Sequence, residues 1–367
     1  MKHTIQPICL FSEWIHLASR VATNTLSKEV ASDIAERYNI DAAQLQETLV
    51  DITAFEDKLK DSIDTTLADF NFFFYPVRQE STTLAQTFAT LFNDINNYNK
   101  RDFSDITDEQ WLNQFTISLS NLLNEDDLDV FKEQHNITDL TSLLAAVIQS
   151  DLDEQVKYRF TIAVSQPTWC ITRLWEMYDQ QASHWKKYED KLNAFVKEKL
   201  EYWIAQYNDV FELLQEKINV KGIPEKEHIA IVPSVFNFNT LTILDKNQFT
   251  IDLKEPILHI GPMIFDLTDA IEKLPQENER LLVVLKTLAD KSKFEILKIC
   301  KEKAMYGQQI ATHLQITTAT ASYHLNALVN MGYLTLNVEA NKIFYQTKVN
   351  KVRKDLEKIN HIFQEEL

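Results

Sequence analysis

Small and hydrogen-bonding side chains lie on one face of a helix-forming stretch near the C-terminus, TTATASYHLNALVN at residues 317–330. Ala321, Leu325 and Leu328 are spaced i, i+4 and i+7, so they define the inward face of that helix. Asn can hydrogen-bond adenine, and a Thr or Ala methyl can contact the methyl group of thymine, so the outward face suits a DNA major groove. The candidate base contacts are Thr318, Ala319, Thr320, Ser322, Tyr323 and Asn326.

Neighbouring residues extend this candidate interface. Thr317 can cap the helix, because its hydroxyl can accept a hydrogen bond from a free amide of the first turn. The segments TLNVEA and KIFYQT predict a β-hairpin with Asn341 and Lys342 near its tip, where DNA phosphates would pass. Tyr323 has a second interpretation, since a tyrosine can bury its ring within the domain and expose only the hydroxyl.

The sequence gives no support for catalysis. Residues 1–279 contain no Gly-rich phosphate loop, no GxSxG turn and no metal-binding motif, so we expect neither an enzyme nor a cofactor. Cys9, Cys170 and Cys300 are odd in number and far apart, which argues against disulfides and for a reducing compartment. His313 and His324 lack the partner ligands that a metal site requires, so a structural or interfacial role is the simpler interpretation.

Charge is distributed unevenly along the chain. The net charge of −17 by itself disfavours a nucleic-acid partner. Residues 280–367, however, carry thirteen Lys and Arg against eight Asp and Glu, whereas residues 1–279 carry 24 against 46. A modestly basic module attached to an acidic body is expected when one part meets DNA and the other does not.

Composition and periodicity predict two domains and a mainly α fold with a small β portion. Residues 1–274 form a helical body with a strand segment near 228–261, where Lys246 and Asn247 could make a hairpin turn. The polar segment LPQENER predicts a linker before the second domain, residues 279–367. The sequence lacks a long apolar stretch and a recognisable signal peptide, so we expect a cytoplasmic protein with no membrane partner.

Two helical patterns in the body have competing interpretations. Residues 27–49 could form a second helix-turn-helix, but they lack the basic residues that phosphates require, so two ordinary packed helices account for them better. In the long helical run from Trp169 to Ile218, an aromatic and apolar stripe is interpreted as core rather than as a ligand pocket. Its members are Trp185, Tyr188, Leu192, Phe195 and Tyr202.

The order of elements after Arg280 resembles a known family. The segments RLLVVLKTLADKSKFEILKIC, YGQQIATHLQI and TTATASYHLNALVNMGYL predict three successive helices, followed by the hairpin and a final amphipathic helix. LADKSKFEILKIC, QQIATHLQITTATASYHLNALVNMGYL and NKIFYQT resemble the ArsR family of winged-helix repressors over residues 280–350. LWEMYDQQASHWKKYEDKL and IVPSVFNFNTLTI resemble larger ArsR-type regulators that have an uncharacterised N-terminal domain.

The resemblance implies a one-component regulator, a repressor that binds double-stranded operator DNA as a homodimer. Its body would receive a small-molecule or peptide signal. Metal is not the expected signal, because MYGQQIATHL lacks a Cys-x-Cys site and the last helix offers only Asp355 and His361. The alternative function is a protein-interaction module, in which the acidic body docks a protein or peptide and the winged helix serves mainly for dimerisation.

The last helix carries an apolar stripe that could form the dimer contact. Its spacings of three, four, three and four follow the a/d pattern of a helix pair, which predicts contact with a symmetry mate. The alternative is that the stripe packs onto its own domain. The residues are Val349, Val352, Leu356, Ile359 and Phe363.

Overall fold

The computed structural model describes most of the chain and confirms a mainly α fold with a small β portion. Within the described ranges, every helix is too short or too polar to cross a bilayer. The described residues are 2–38, 41–77, 82–93, 95–123, 128–218, 220–221, 228–244, 257–272, 277–316, 318–339 and 342–362.

Most helices of the body share one large apolar core, whereas α14 (Val210–Lys217) packs into a second apolar cluster. Side-chain caps fix where several of them begin; Thr107, Asp139 and Asp153, for example, each accept a hydrogen bond from a backbone amide of the first turn. The helices are α1 (Leu10–Thr23), α2 (Ser27–Tyr38), α3 (Ala42–Thr48), α4 (Val50–Leu59), α5 (Phe70–Phe74), α6 (Leu84–Ala89), α7 (Asp108–Leu122), α8 (Leu128–Gln134), α9 (Leu140–Gln149), α10 (Glu154–Ser165), α11 (Pro167–Asp179), α12 (Ala182–Lys186), α13 (Glu189–Ile204), α14 (Val210–Lys217) and α15 (Ile264–Glu272).

The run from Trp169 to Ile218 is divided among α11 to α14, so the prediction of one continuous stripe is wrong. Trp185 lies in α12, whereas Tyr188 precedes the first turn of α13. Turns separate Trp185 and Tyr188 from the rest of the stripe, and within α13 Tyr202 lies on a different side of the helix from Leu192 and is 61% exposed. The core interpretation holds for Trp185 and Leu192, which are fully buried.

The sheet of the body is largely parallel and has the strand order β1-β3-β5-β4. β1 (Lys2–Ile5) pairs in parallel with β3 (His228–Pro233), and β3 pairs in parallel with β5 (Ile257–Ile260). β4 (Leu241–Leu244) lies antiparallel to β5. The central strands β3 and β5 are buried almost throughout, as parallel strands covered on both faces usually are. The predicted turn at Lys246 and Asn247 lies outside the described residues.

Close backbone packing joins the sheet to α1. The carboxylate of Glu13 accepts hydrogen bonds from the amides of Val235 and Phe236, both at 2.9 Å, just after β3. Gly261 follows β5 and lies against the backbone of Phe238 so closely that a Cβ atom there would collide with it. Contact of this kind requires glycine.

The C-terminal unit has its own apolar core, which includes Val284, Ile296, Ile310, Leu325 and Leu328. The segment predicted as its first helix is two helices, because Asp290 interrupts it and caps the second by accepting from the amide of Lys293. A short strand before the third helix was also not predicted. The elements are α16 (Glu277–Ala289), α17 (Lys291–Glu302), β6 (Met305–Tyr306), α18 (Gly307–Leu314), α19 (Thr318–Asn330), β7 (Leu334–Glu339), β8 (Lys342–Thr347) and α20 (Val349–Ile362).

A strand of the body completes the hairpin sheet of this unit. The strand order is β2-β7-β8-β6, where β2 is the pair Val220–Lys221. β2 runs parallel to β7, with Val220 opposite Leu336 and Lys221 opposite Asn337. Leu336 also packs against a second apolar cluster of the body. The wing is therefore attached to the body by backbone pairing and by apolar contact.

Candidate nucleic-acid interface

Helix α19 has the orientation that the spacing of its apolar residues predicts. Ala321, Leu325 and Leu328 are buried in the core of the C-terminal unit. Gln315 ends α18 in the left-handed conformation at φ 55°, and this makes the tight turn between the two helices. Gly332, at φ 70°, follows the end of α19, as expected of a helix terminator. Local sequence thus fixes which face of α19 points outward.

Several predicted base contacts share that outward face. Thr320, Tyr323 and Asn326 are exposed, whereas Thr318 and Ser322 are half-buried. The backbone of Ala319 lies in α19, and that of Lys342 opens β8 opposite Glu339. Thr317 and Asn341 lie outside the described residues. The structure thus leaves Thr320, Tyr323 and Asn326 exposed on α19, and the wing that contains Lys342 follows directly in the chain.

Tyr323 lies at the surface beside a cation that sequence reasoning missed. Its ring is 46% exposed and contacts the ring of His324 edge-on, with centroids 5.3 Å apart. The Nζ atom of Lys293 lies 5.9 Å from the Tyr323 centroid, within the range of a cation–π contact. In the sequence, only the basic character of KSKFEILK indicated a cation in this region, and it did not show which lysine faces α19. Lys293 Nζ also lies 3.6 Å from the carboxylate of Asp290, so the charge of this lysine is paired within the domain.

His324 lies within α19, and its side chain is buried against its own domain. Its Nδ1 atom is 3.9 Å from the Asp290 carboxylate, too far for a hydrogen bond. Burial lowers the pKa of His324, although the negative charge of Asp290 opposes this effect. The ring is therefore neutral at neutral pH and contributes to packing rather than to phosphate binding.

The two residues of α20 considered as metal ligands have different positions. Asp355 is buried, and it accepts hydrogen bonds from the Tyr333 hydroxyl at 3.1 Å and from Lys351 Nζ at 3.4 Å. The side chain of His361 is outside the described part of the chain. Burial raises the pKa of the Cys300 thiol to about 12, which disfavours the thiolate that binds metal. Among the described residues, no group of three His, Cys, Asp or Glu side chains could hold an ion.

The predicted dimer stripe on α20 faces in two directions. Val352 and Ile359 pack against the core of their own unit, as the alternative interpretation proposed. Leu356 is 46% exposed, and Val349 is half-buried. Phe363 lies outside the described residues. On α16, which packs against α20, Leu282 and Leu285 are also exposed. We refer to Leu282, Leu285 and Leu356 as the leucine surface.

The body reaches the N-terminus of α19. The hydroxyl of Thr318 donates to the carbonyl oxygen of Leu123, which directly follows α7, over 3.5 Å. The N-terminal residues of a recognition helix normally meet the base edges. The body thus contacts the helix end at which such base contacts are made in other proteins.

Comparison with known families agrees with this geometry. Residues 290–335 match the family model described as bacterial regulatory protein, arsR family. The C-terminal unit contains an ArsR-family helix-turn-helix. The matched residues extend from the cap of α17 through α18 and α19 to the start of β7, and they confirm the resemblance noted in the sequence. The large N-terminal region matches no family model, so the resemblance noted there is not supported. No curated protein and no solved structure matches the chain.

Proposed function

We propose that this chain is a one-component transcription regulator. The domain at residues 279–367 binds double-stranded operator DNA, and the body at residues 1–274 receives a signal other than a metal. The observation that carries the proposal is the polar outward face of α19, with Tyr323 and Asn326 exposed, within a helix-turn-helix of a regulatory family. Asn and Tyr side chains at such positions can hydrogen-bond base edges.

The body acts in this proposal by holding the DNA-reading helix and the wing. Thr318 is bonded to the carbonyl of Leu123, and β7 is paired with β2. A protein in this arrangement presents an obstructed helix end to the major groove. A signal that moves α7 away from α19 favours the DNA-bound state, and a signal that strengthens the contact favours release. The protein acts as a repressor when its bound state blocks transcription.

A homodimer supplies a second DNA-recognition helix. Two copies related by a two-fold axis would present two α19 helices to half-sites about one helical turn apart, roughly 34 Å. The leucine surface supports this arrangement, because exposed leucines on two adjacent helices lose contact with water when a second copy covers them.

Selection of DNA from a random pool tests the proposal directly. Full-length protein should enrich one duplex that has two related half-sites, and binding to it should weaken steeply as salt rises. A scrambled duplex of equal length should bind at least about a thousandfold more weakly. Enrichment of no sequence, together with equal binding to both duplexes, would overturn the proposal and favour the interaction-module alternative.

A further inference from the structure

One arginine of the body is buried, and the described residues place no carboxylate beside it. Arg159 lies in α10 and is only 9% exposed, and Val156, Phe160 and Ala163 of the same helix are buried with it. Its Nη1 atom is enclosed and has no hydrogen-bond partner, and no carboxylate of the described residues lies within 4.0 Å of the guanidinium. A guanidinium keeps its proton in proteins, so the cost of burial is not relieved by loss of the charge. Such a charge is unfavourable unless something pairs with it.

Two other arginines, the exposed Arg101 and the largely enclosed Arg20, also stack on aromatic rings. Each guanidinium lies over an aromatic ring: Arg159 is 4.2 Å from the centroid of Tyr75, Arg101 is 3.6 Å from Trp175, and Arg20 is 4.4 Å from Phe238.

The partners of the N–H groups differ among the three arginines. Arg101 donates to both carboxylate oxygens of Asp179, at 2.7 and 2.8 Å. Arg20 donates to the carbonyl oxygens of Phe236 and Thr25 and to the side chain of Asn239. For Arg159 the described residues supply only the aromatic ring of Tyr75.

We propose that Arg159 and Tyr75 form a binding site for a small monocarboxylate. Stacking on Tyr75 occupies a face of the guanidinium and leaves its N–H edge free, and a carboxylate can accept two parallel hydrogen bonds along that edge. One guanidinium balances one negative charge, whereas a phosphate ester carries almost two. Tyr75 is 37% exposed, so the stacked pair lies close to the surface.

The position of Arg159 connects the site to the recognition helix. Phe160, the next residue, packs edge-on against Phe115 of α7, with ring centroids 5.8 Å apart. α7 ends beside Leu123, whose carbonyl accepts from Thr318. A carboxylate that shifts α10 would therefore act on α7 and on its contact with α19. This consequence for DNA rests on the proposed function, whereas binding of the ligand does not.

Thermal unfolding of the full chain tests ligand binding without DNA. Benzoate and acetate are the carboxylate probes, benzamide is the uncharged control, and inorganic phosphate is the competing anion, all in Tris chloride at constant ionic strength. At saturation, benzoate or acetate should raise the midpoint temperature of unfolding of the wild type by at least about 2 °C. Neither carboxylate should raise the midpoint temperature of Arg159→Met. An equal rise for both proteins, no rise with either carboxylate, or a larger rise with phosphate would overturn the proposal.

The same variant gives a second test in the absence of ligand. Arg159→Met removes a buried charge that lacks a partner, so its midpoint should equal or exceed that of wild type. Arg20→Met is the matched control: it removes a guanidinium stacked in the same way that has hydrogen-bond partners, and its midpoint should fall. A fall of similar size for Arg159→Met would show that the chain itself pairs with Arg159, and would overturn the proposal. Protection by benzoate with unchanged DNA binding would support the site while contradicting the role of the body in sensing.

Discussion

The hydroxyl of Thr318 donates to the carbonyl oxygen of Leu123, which ties the first residue of α19 to the end of α7. The two residues are 195 positions apart in the chain. At 3.5 Å this contact is longer than a normal O–H···O hydrogen bond, and it contributes little stability by itself. Its importance is positional, because it places the body at the helix end that must enter the groove.

A reversible cross-link should hold the end of α7 against the first residue of α19. We expect oxidised Leu123→Cys/Thr318→Cys protein to lose binding to the selected duplex by at least about a hundredfold, because the body then blocks the start of α19. Reduction should return the affinity of the double variant to that of the single variant Thr318→Cys, which serves as the control. Gel shift under oxidising and reducing conditions measures both. Tight binding by fully cross-linked protein would contradict obstruction by the body.

Base reading and backbone binding should separate by residue. Tyr323→Ala or Asn326→Ala should cost about 1–3 kcal/mol on the selected duplex and narrow the gap between that duplex and a scrambled one. Lys342→Ala should weaken both duplexes alike and reduce the salt slope by about one unit. Titrations at several salt concentrations distinguish these effects. Unchanged discrimination in folded Tyr323→Ala and Asn326→Ala would remove α19 from the groove.

The leucine surface should mediate self-association. Leu356→Glu should shift the protein from dimer to monomer at micromolar concentration, because a carboxylate cannot be buried between two apolar faces without cost. Ile148→Glu is a suitable control, since Ile148 is 63% exposed on the body. Light scattering gives the mass in each case. A monomeric wild type, or an equal effect of both substitutions, would count against this interface.

Acid should destabilise the body through two buried histidines. Burial lowers the pKa of His16 to about 3 and that of His259 to about 4, from an ordinary value of 6.5. Their unfolded rings take up protons below pH 6.5 and the folded rings do not, so the stability present above pH 6.5 is lost as pH falls towards 4. Burial raises the pKa of Glu13 to about 7, and its protonation in the folded state opposes part of this loss.

His259 alone should contribute a loss of up to about 1.4 kcal/mol per pH unit between pH 6.5 and 4.5. Glu13 and Glu56 oppose the total loss from the histidines, because burial raises the pKa of both carboxyl groups. His259→Leu should remove its contribution to the slope, whereas substitution of the exposed His313 by Leu should leave the slope unchanged. Urea unfolding at a series of pH values measures the slope. Identical slopes in the two variants would show that His259 does not titrate as its burial requires.

Two glycines should respond differently to alanine. Gly332→Ala should cost only about 1–2 kcal/mol, because the cost there is the positive φ of 70° and the nearest atom, Lys351 Cε, is 3.9 Å away. Gly261→Ala should cost more than about 4 kcal/mol, since the added methyl would collide with the backbone of Phe238. Chemical unfolding of both variants checks the order. Equal costs would mean that the segment after β3 can move away from β5.

Local signals explain which features were predictable. The faces of α19 follow from the spacing of Ala321, Leu325 and Leu328, and its end follows from Gly332, so a few neighbouring residues suffice. β1 offers no such signal, because its four residues gain their structure from β3; Thr4 and His228 form a side-chain hydrogen bond across 224 positions. Thr318 beside Leu123 and the unpaired Arg159 also depend on distant packing, which periodicity does not encode.

The pairing of β2 with β7 also affects the solubility of any fragment. In the whole chain, Val220 and Lys221 cover part of the outer side of β7. Cleavage between body and wing would turn β7 into an open edge, with unpaired amide and carbonyl groups and an uncovered Leu336. Open edges recruit other strands and lead to aggregation. The short strand of the body thus also protects the DNA-binding unit against edge-to-edge association.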